Sequence, residues 1–208
     1  MSQITSFKTR EVRWFINRPI PELSRWFETL PPTSCTLESR EDLYLVLPGR
    51  SDLGVKFREN RLELKYKLGK SRQGELVPGI IGVFEIWEKL GFPLTPEISN
   101  SVVPEGTEAS RVPVLKRRLA TMIETNGIQE SFHPLGTPVA ASVQLEYTKL
   151  QLLGSSWYTI GLEWLEDGDV TLPAKLLSDL LASSELEVNA SMGYPEFLQG
   201  VLHLMDDF

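Results

Sequence analysis

Charged side chains occupy alternate positions in much of the stretch from 54 to 69, GVKFRENRLELKYKLG. Alternation of this kind predicts β-strands with one apolar and one charged face. Glu59-Asn60 separates two such runs and suits a tight hairpin turn, because Asn tolerates a positive φ. In a hairpin, one face would carry the charged set Lys56, Arg58, Arg61, Glu63, Lys65 and Lys67. This face either meets solvent or lines a binding cavity.

Charged residues recur at alternate positions along other predicted strands. They are Arg13, Lys116, Arg118, Glu11, Glu85, Glu146 and Glu163. Arginine can bind two phosphate oxygens with parallel hydrogen bonds, whereas lysine interacts with them as a point charge. Carboxylates can coordinate Mg²⁺ or Mn²⁺. A metal in such a site could also activate water for phosphoryl transfer. The set therefore indicates phosphate binding beside a metal. The alternative is an internal salt-bridge lattice without a ligand.

The elements that must position these residues are mostly strands. The sequence predicts strands over 9–17, 41–48, 54–58, 61–67, 79–92, 111–124, 141–153 and 157–165. The segment 79–92 is ambiguous between helix and strand, and its glycines and β-branched residues favour a strand. Three helices are expected, over 22–30, from 174 onwards and from Tyr194 onwards. Residues 69–79 and 93–110 read as loops.

About eight strands, mostly joined as hairpins, predict an α+β fold. Eight antiparallel strands suffice to close a small barrel or tunnel, and a deeply cupped sheet is the open version. We expect helices packed outside and a single domain over 1–208. If the apolar faces turn outward, the charges must point inward, where they need partners or a charged ligand.

Composition limits the partners. The chain has a net charge of −7 and a pI near 5.0, which argues against general nucleic-acid or anionic-membrane binding. Cys35 is the only cysteine, so neither an intrachain disulfide nor a multi-cysteine metal site can form. The N-terminal residues do not look like a signal peptide, and cytoplasmic location is the default expectation.

The order of these motifs resembles the CYTH domain, or triphosphate tunnel metalloenzyme, superfamily over roughly residues 8 to 205. The matching segments are KFR at 56–58, LELK at 62–65, VLKRR at 114–118, QLEY at 144–147, TIGLE at 159–163 and SMGYPE at 191–196. The resemblance implies an eight-stranded tunnel that binds a phosphorylated small molecule or inorganic tripolyphosphate.

The resemblance also implies roles for individual residues. Phosphate binding falls to Lys56, Arg58, Lys65, Lys116 and Arg118. The metal ligands for Mg²⁺ or Mn²⁺ are Glu11, Glu146 and Glu163. Catalytic roles fall to Lys65 and Glu163. We therefore expect the side chains of these residues to converge on one cavity.

The chain departs from the family pattern in two strands. The opening Glu-x-Glu-x-Lys of the family is matched by Glu11, but Arg13 and Phe15 stand at the other two positions. In the late strand, Gly161 precedes Glu163 where the family has Glu-x-Glu. The implied metal is therefore weakly bound and the implied phosphohydrolase activity is weak. The alternatives are a non-catalytic scaffold or partner-binding protein and, third, a nucleotidyl cyclase.

Overall fold

The computed structural model describes residues 4–94, 109–125, 129–139, 142–165, 170–181 and 184–206. These contain ten strands: β1 Thr5–Ile16, β2 Thr36–Val46, β3 Leu53–Arg58, β4 Arg61–Lys67, β5 Arg72–Val77, β6 Ile80–Pro93, β7 Ser110–Thr125, β8 Glu130–His133, β9 Ser142–Leu152 and β10 Ser155–Leu165. The helices in the same part of the chain are α1 Pro21–Thr29, α2 Ala174–Leu181 and α3 Tyr194–Asp206. A single turn of 3₁₀-helix, Val188–Ala190, precedes α3.

Eight of the strands close into an antiparallel barrel. The ring runs β1-β10-β9-β7-β2-β3-β4-β6 and returns to β1 through the β1–β6 pairing. β5 extends from β6 and β8 extends from β7, outside the ring. The predicted α+β fold with an eight-stranded barrel is confirmed.

The β3–β4 hairpin forms as the alternation predicts. Lys56 lies opposite Glu63, and Arg58 lies opposite Arg61. Glu59 and Asn60 both adopt positive φ, 46° and 61°, which matches the right-handed twist of the flanking strands. This turn fixes the register, so the charged residues of both strands share one face.

The outer surface of the barrel carries one apolar cluster. Val12 and Trp14 of β1 are fully buried there, against helices that bring residues such as Leu23 and Leu177. Helix α1 begins at Pro21, whose fixed φ suits the first helical turn, and it ends before Pro31-Pro32. Because the apolar side of β1 faces these helices, its alternate residues face the barrel interior.

Helix α3 packs against a second apolar cluster at one end of the interior. Phe197 stacks on Phe15 with ring centroids 3.9 Å apart, and Leu150 of β9 belongs to the same cluster. The start of the helix brings Pro195 to 3.3 Å from the position of a Cβ on Gly54. This packing places Tyr194 beside the charged part of the interior.

Two predicted loops and one predicted strand need correction. Residues 69–79 contain β5, an edge strand in which only Val77 is buried. Its mostly polar residues do not show the apolar alternation that indicates a strand. Strand β2 begins at Thr36 rather than 41, so its first half was also missed. The predicted loop 93–110 overlaps β6 and β7 at its ends, and 95–108 lies outside the described residues. Segment 79–92 is a strand, as its composition favours.

Within the described residues, no helix combines the length and apolarity needed to cross a bilayer.

Candidate anion-binding tunnel

The barrel encloses a cavity of about 340 Å³. Its wall contains all eight residues that the sequence singled out as site residues: Glu11, Lys56, Arg58, Lys65, Lys116, Arg118, Glu146 and Glu163. They come from six different strands, β1, β3, β4, β7, β9 and β10. The structure therefore brings the whole set together, and the role of each residue stays a prediction.

The wall of this cavity is strongly cationic. Its basic members in the described residues number nine: Arg13, Arg40, Lys56, Arg58, Arg61, Lys65, Lys89, Lys116 and Arg118. Its acidic members number four: Glu11, Glu63, Glu146 and Glu163. Counting also Asp42 and Glu38, which form ion pairs with arginines of the wall, nine positive charges face six negative ones. A chain with a net charge of −7 thus concentrates a formal net charge of about +3 around this cavity.

Asp42 is the centre of the charge network. Its side chain is fully buried, and its oxygens lie 3.0 Å from Lys116 Nζ and 3.1 Å from Arg58 Nε. Arg40 Nε at 3.2 Å and Lys56 Nζ at 3.9 Å complete the shell. Burial alone would raise the pKa of Asp42, but these four cations outweigh it and hold the pKa below the usual range.

Two lysines beside Asp42, Lys56 and Lys116, have lowered pKa values. Burial, followed by the charge of Arg58, lowers the pKa of Lys56 from 10.5 to about 8. Burial also lowers the pKa of Lys116 well below its ordinary value, although Asp42 opposes the shift. The ammonium of Lys116 donates a hydrogen bond to Tyr44 Oη at 2.6 Å and lies 4.1 Å from the ring centroid of Tyr194. An added anion would stabilise both lysines in their charged form.

Glu146 is held by two arginines. Arg13 Nη1 lies 2.9 Å from one carboxylate oxygen, and Arg118 Nη1 lies 3.0 Å from the other. Thr148 donates a further hydrogen bond to the first oxygen at 3.1 Å. Burial would raise the pKa of Glu146, but Arg13 and Arg118 reverse the shift and hold it well below the usual range.

The other two predicted metal ligands are also engaged by cations. Lys65 Nζ lies 2.5 Å from Glu11, and Lys89 Nζ lies 2.5 Å from Glu163. Burial raises the pKa of Glu11, but Lys65 and neighbouring cations more than compensate and bring it to about 2. Among the described residues, no three His, Cys, Asp or Glu side chains are grouped to share a metal ion. The predicted metal set therefore lines one cavity without forming a ligand cluster.

Arg13 and Gly161 occupy the positions where the resemblance expects carboxylates, and they pack on each other. They are cross-strand partners in the β1–β10 pairing. A Cβ on Gly161 would lie 2.6 Å from the guanidinium carbon of Arg13, so the glycine makes room for the arginine. Arg13 also donates to Thr159 Oγ1 at 3.2 Å, which fixes its orientation.

Four residues of the network were missed from the sequence: Glu38, Arg40, Asp42 and Lys89. Asp42 alternates with Leu43 and Leu45, so strict period-two reading would have placed it inside with Tyr44. Lys89 continues the face of Glu85 and Trp87 on β6 by the same rule. Asp42 and Lys89 lay within predicted strands but were not assigned to the charged face, whereas Glu38 and Arg40 precede the predicted start of their strand at 41.

No protein-family model and no curated protein sequence matches this chain. Among solved structures, the Mimivirus capping enzyme triphosphatase is similar at 15% identity and a TM-score of 0.45, over 85% of this chain and 87% of the other. The S. pombe Pct1 RNA triphosphatase, solved in complex with the Spt5 CTD, is similar at 11% identity and a TM-score of 0.39, over 97% and 82%. Likenesses this distant give no ground for transferring an activity to this chain.

Replacing Asp42 should destabilise the folded protein, because the cations around this residue would lose their counterion. In Asp42→Asn, four positive charges lose a buried counterion, and we expect a loss of about 3–5 kcal/mol in the free energy of unfolding. The matched control is Asp52→Asn, an exposed carboxylate that pairs with exposed Arg50 and whose loss should leave stability nearly unchanged. Urea denaturation of both variants measures the difference. Equal stability of the two variants would show that Asp42 does not hold the network.

Proposed function

We propose that the tunnel binds a compact, multiply charged phosphate chain, such as inorganic tripolyphosphate or the triphosphate of a phosphorylated small molecule. The observation that carries the proposal is the formal net charge of about +3 around one partly open cavity of an otherwise acidic chain. A volume of about 340 Å³ falls at the lower end of the range for small-molecule sites, about 300–1,000 Å³. A space of this size suits a short anion and excludes a duplex nucleic acid.

The donors of the site suit phosphate oxygens. Arg58 and Arg118 present guanidinium groups that can bind two oxygens of one phosphate, while Lys56, Lys65 and Lys116 supply point charges. These five residues are the predicted phosphate ligands, and all line the cavity. A salt-bridge lattice without a ligand would balance its charges, whereas this wall has an excess of cations. The excess favours ligand binding over the bare lattice.

Tyr194 offers a neutral donor beside these cations. Its hydroxyl is buried and has no hydrogen-bond partner in the part of the chain that the structure describes. Burial raises the pKa of Tyr194 above its ordinary value, although Arg13 opposes the shift, so the hydroxyl keeps its proton at neutral pH. An unsatisfied buried donor costs free energy, and a phosphate oxygen would satisfy it.

Hydrolysis is weak or absent in this proposal. Lys65 and Glu163, the predicted catalytic residues, are each engaged in an ion pair, with Glu11 and Lys89 respectively. Activation of water by a divalent ion needs carboxylates that are free to coordinate it. The carboxylates of this wall instead neutralise fixed cations. Binding is therefore the function that the geometry supports best, ahead of turnover.

Binding should stabilise the folded protein against heat. Tripolyphosphate at about a hundredfold excess over its Kd should raise Tm by roughly 5–10 °C at low salt, and added salt should reduce the shift. Arg118→Gln removes a guanidinium from the wall and should reduce the shift measured from the variant's own Tm. Arg117→Gln is the matched control, because this neighbour is exposed and does not line the cavity.

Two results of the thermal-shift comparison would contradict the proposal. Absence of any shift with wild-type protein at low salt would favour the non-catalytic scaffold alternative. An equal loss in Arg117→Gln and Arg118→Gln would place binding on the outer surface instead of in the tunnel.

Affinity should depend on the protonation of Lys56. The pKa of Lys56, about 8 in the free protein, means that the residue is charged below that pH and neutral above it. Affinity for tripolyphosphate should therefore decline as pH rises through about 8, because the anion loses one cationic partner. Calorimetric titrations from neutral to alkaline pH measure the profile. Lys56→Arg should flatten the decline near pH 8, since guanidinium stays charged, and the paired profiles cancel titration of the ligand itself. Identical pH profiles of wild type and Lys56→Arg would show that the protonation of Lys56 does not affect binding.

A further inference from the structure

Each carboxylate that the family resemblance assigns to a divalent ion already holds a cation of the protein. Lys65 binds Glu11 at 2.5 Å, and Lys89 binds Glu163 at the same distance. Arg13 binds Glu146 at 2.9 Å. A metal ion would have to displace these groups, and every displacement would leave a buried or half-buried charge without its partner. The donor set therefore does not fit a divalent ion.

Arg13 is built into the interior as a fixed charge. Its exposed fraction is 5%, and its guanidinium lies over Gly161, where any larger residue would collide with it. Hydrogen bonds to Glu146 and Thr159 and the face of Tyr194, 5.1 Å away, hold it on three sides. Guanidinium tolerates burial better than ammonium, because it is more weakly hydrated and does not lose its proton. Arg13 is thus a permanent positive charge within the cavity.

Lys65 and Lys89 place a second pair of cationic groups on the inner face. They are direct cross-strand partners in the β4–β6 pairing and share the inner face. Like charges opposite each other destabilise a sheet, so the pair is tolerated because Glu11 and Glu163 each neutralise one member. Two adjacent ammonium groups can contact neighbouring phosphate oxygens, as a bridging metal ion otherwise would.

We propose that Arg13, Lys65 and Lys89 replace the divalent ion, so that the tunnel captures the phosphate chain in its metal-free form. This inference rests on the proposed function and adds the chemical state of the ligand. Mg²⁺ then competes with the protein. A chain that carries Mg²⁺ has lost two negative charges and part of its free oxygens, both of which the cationic wall needs.

The test is calorimetric titration of the wild-type protein with tripolyphosphate, once in EDTA and once in excess Mg²⁺ at matched ionic strength. We expect binding in EDTA and an affinity weaker by about tenfold or more in Mg²⁺. Equal or tighter binding in Mg²⁺ would overturn the inference while leaving the proposed function intact. Absence of binding in both buffers would overturn both.

A variant of Lys89 locates the effect within the tunnel. Lys89→Gln frees Glu163 and removes one of the paired ammonium groups, so its affinity in EDTA should fall and the penalty from Mg²⁺ should shrink. Lys8→Gln is the control, because this lysine is exposed and does not line the cavity. Wild-type affinity of Lys89→Gln in EDTA, with an unchanged Mg²⁺ penalty, would contradict the replacement of the metal by these cations.

Discussion

The whole barrel depends on the compensation of charges that its closure forces inward. Removing an ion from water costs several kcal/mol even after the surroundings relax, so a closed ring of charged faces survives only if each charge finds a partner. Asp42 provides the largest share of this compensation, with four cations within 3.9 Å. Glu146 does the same for Arg13 and Arg118. The cations left in excess are the basis of the proposal that the cavity binds an anion.

The packing outside the ring decides which residues become interior. Val12 and Trp14 are buried under the helices, and a shift of β1 by one residue would send them inward and expose Glu11 and Arg13. The same constraint acts at the end of the barrel, where Phe15 and Phe197 stack. Apolar contacts outside and at the end of the ring thus fix the geometry of the polar network within it.

Much of the site could be predicted because strand alternation is local. The turn at Glu59-Asn60 and the shared face of Lys56 and Arg58 follow from neighbours in sequence, whereas the inward direction of that face depends on closure of the ring. Ion-pair partners could not be predicted in the same way, because they meet only when the ring closes. The pairing of Lys65 with Glu11 joins β4 to β1, which are not adjacent strands. The sequence shows the carboxylates of the predicted metal set, but it does not show the cations that pair with them in the folded structure.

The most direct measurement is a crystal structure of the protein with tripolyphosphate bound in the presence of Mg²⁺. Our account predicts electron density for the phosphate chain inside the barrel, in contact with Arg58, Lys116 and Arg118. It also predicts that Lys65 and Lys89 keep their carboxylate partners and that no metal ion lies between those carboxylates and the chain. An empty interior with the anion on the outer surface would contradict the account. So would a divalent ion coordinated by Glu11, Glu146 or Glu163.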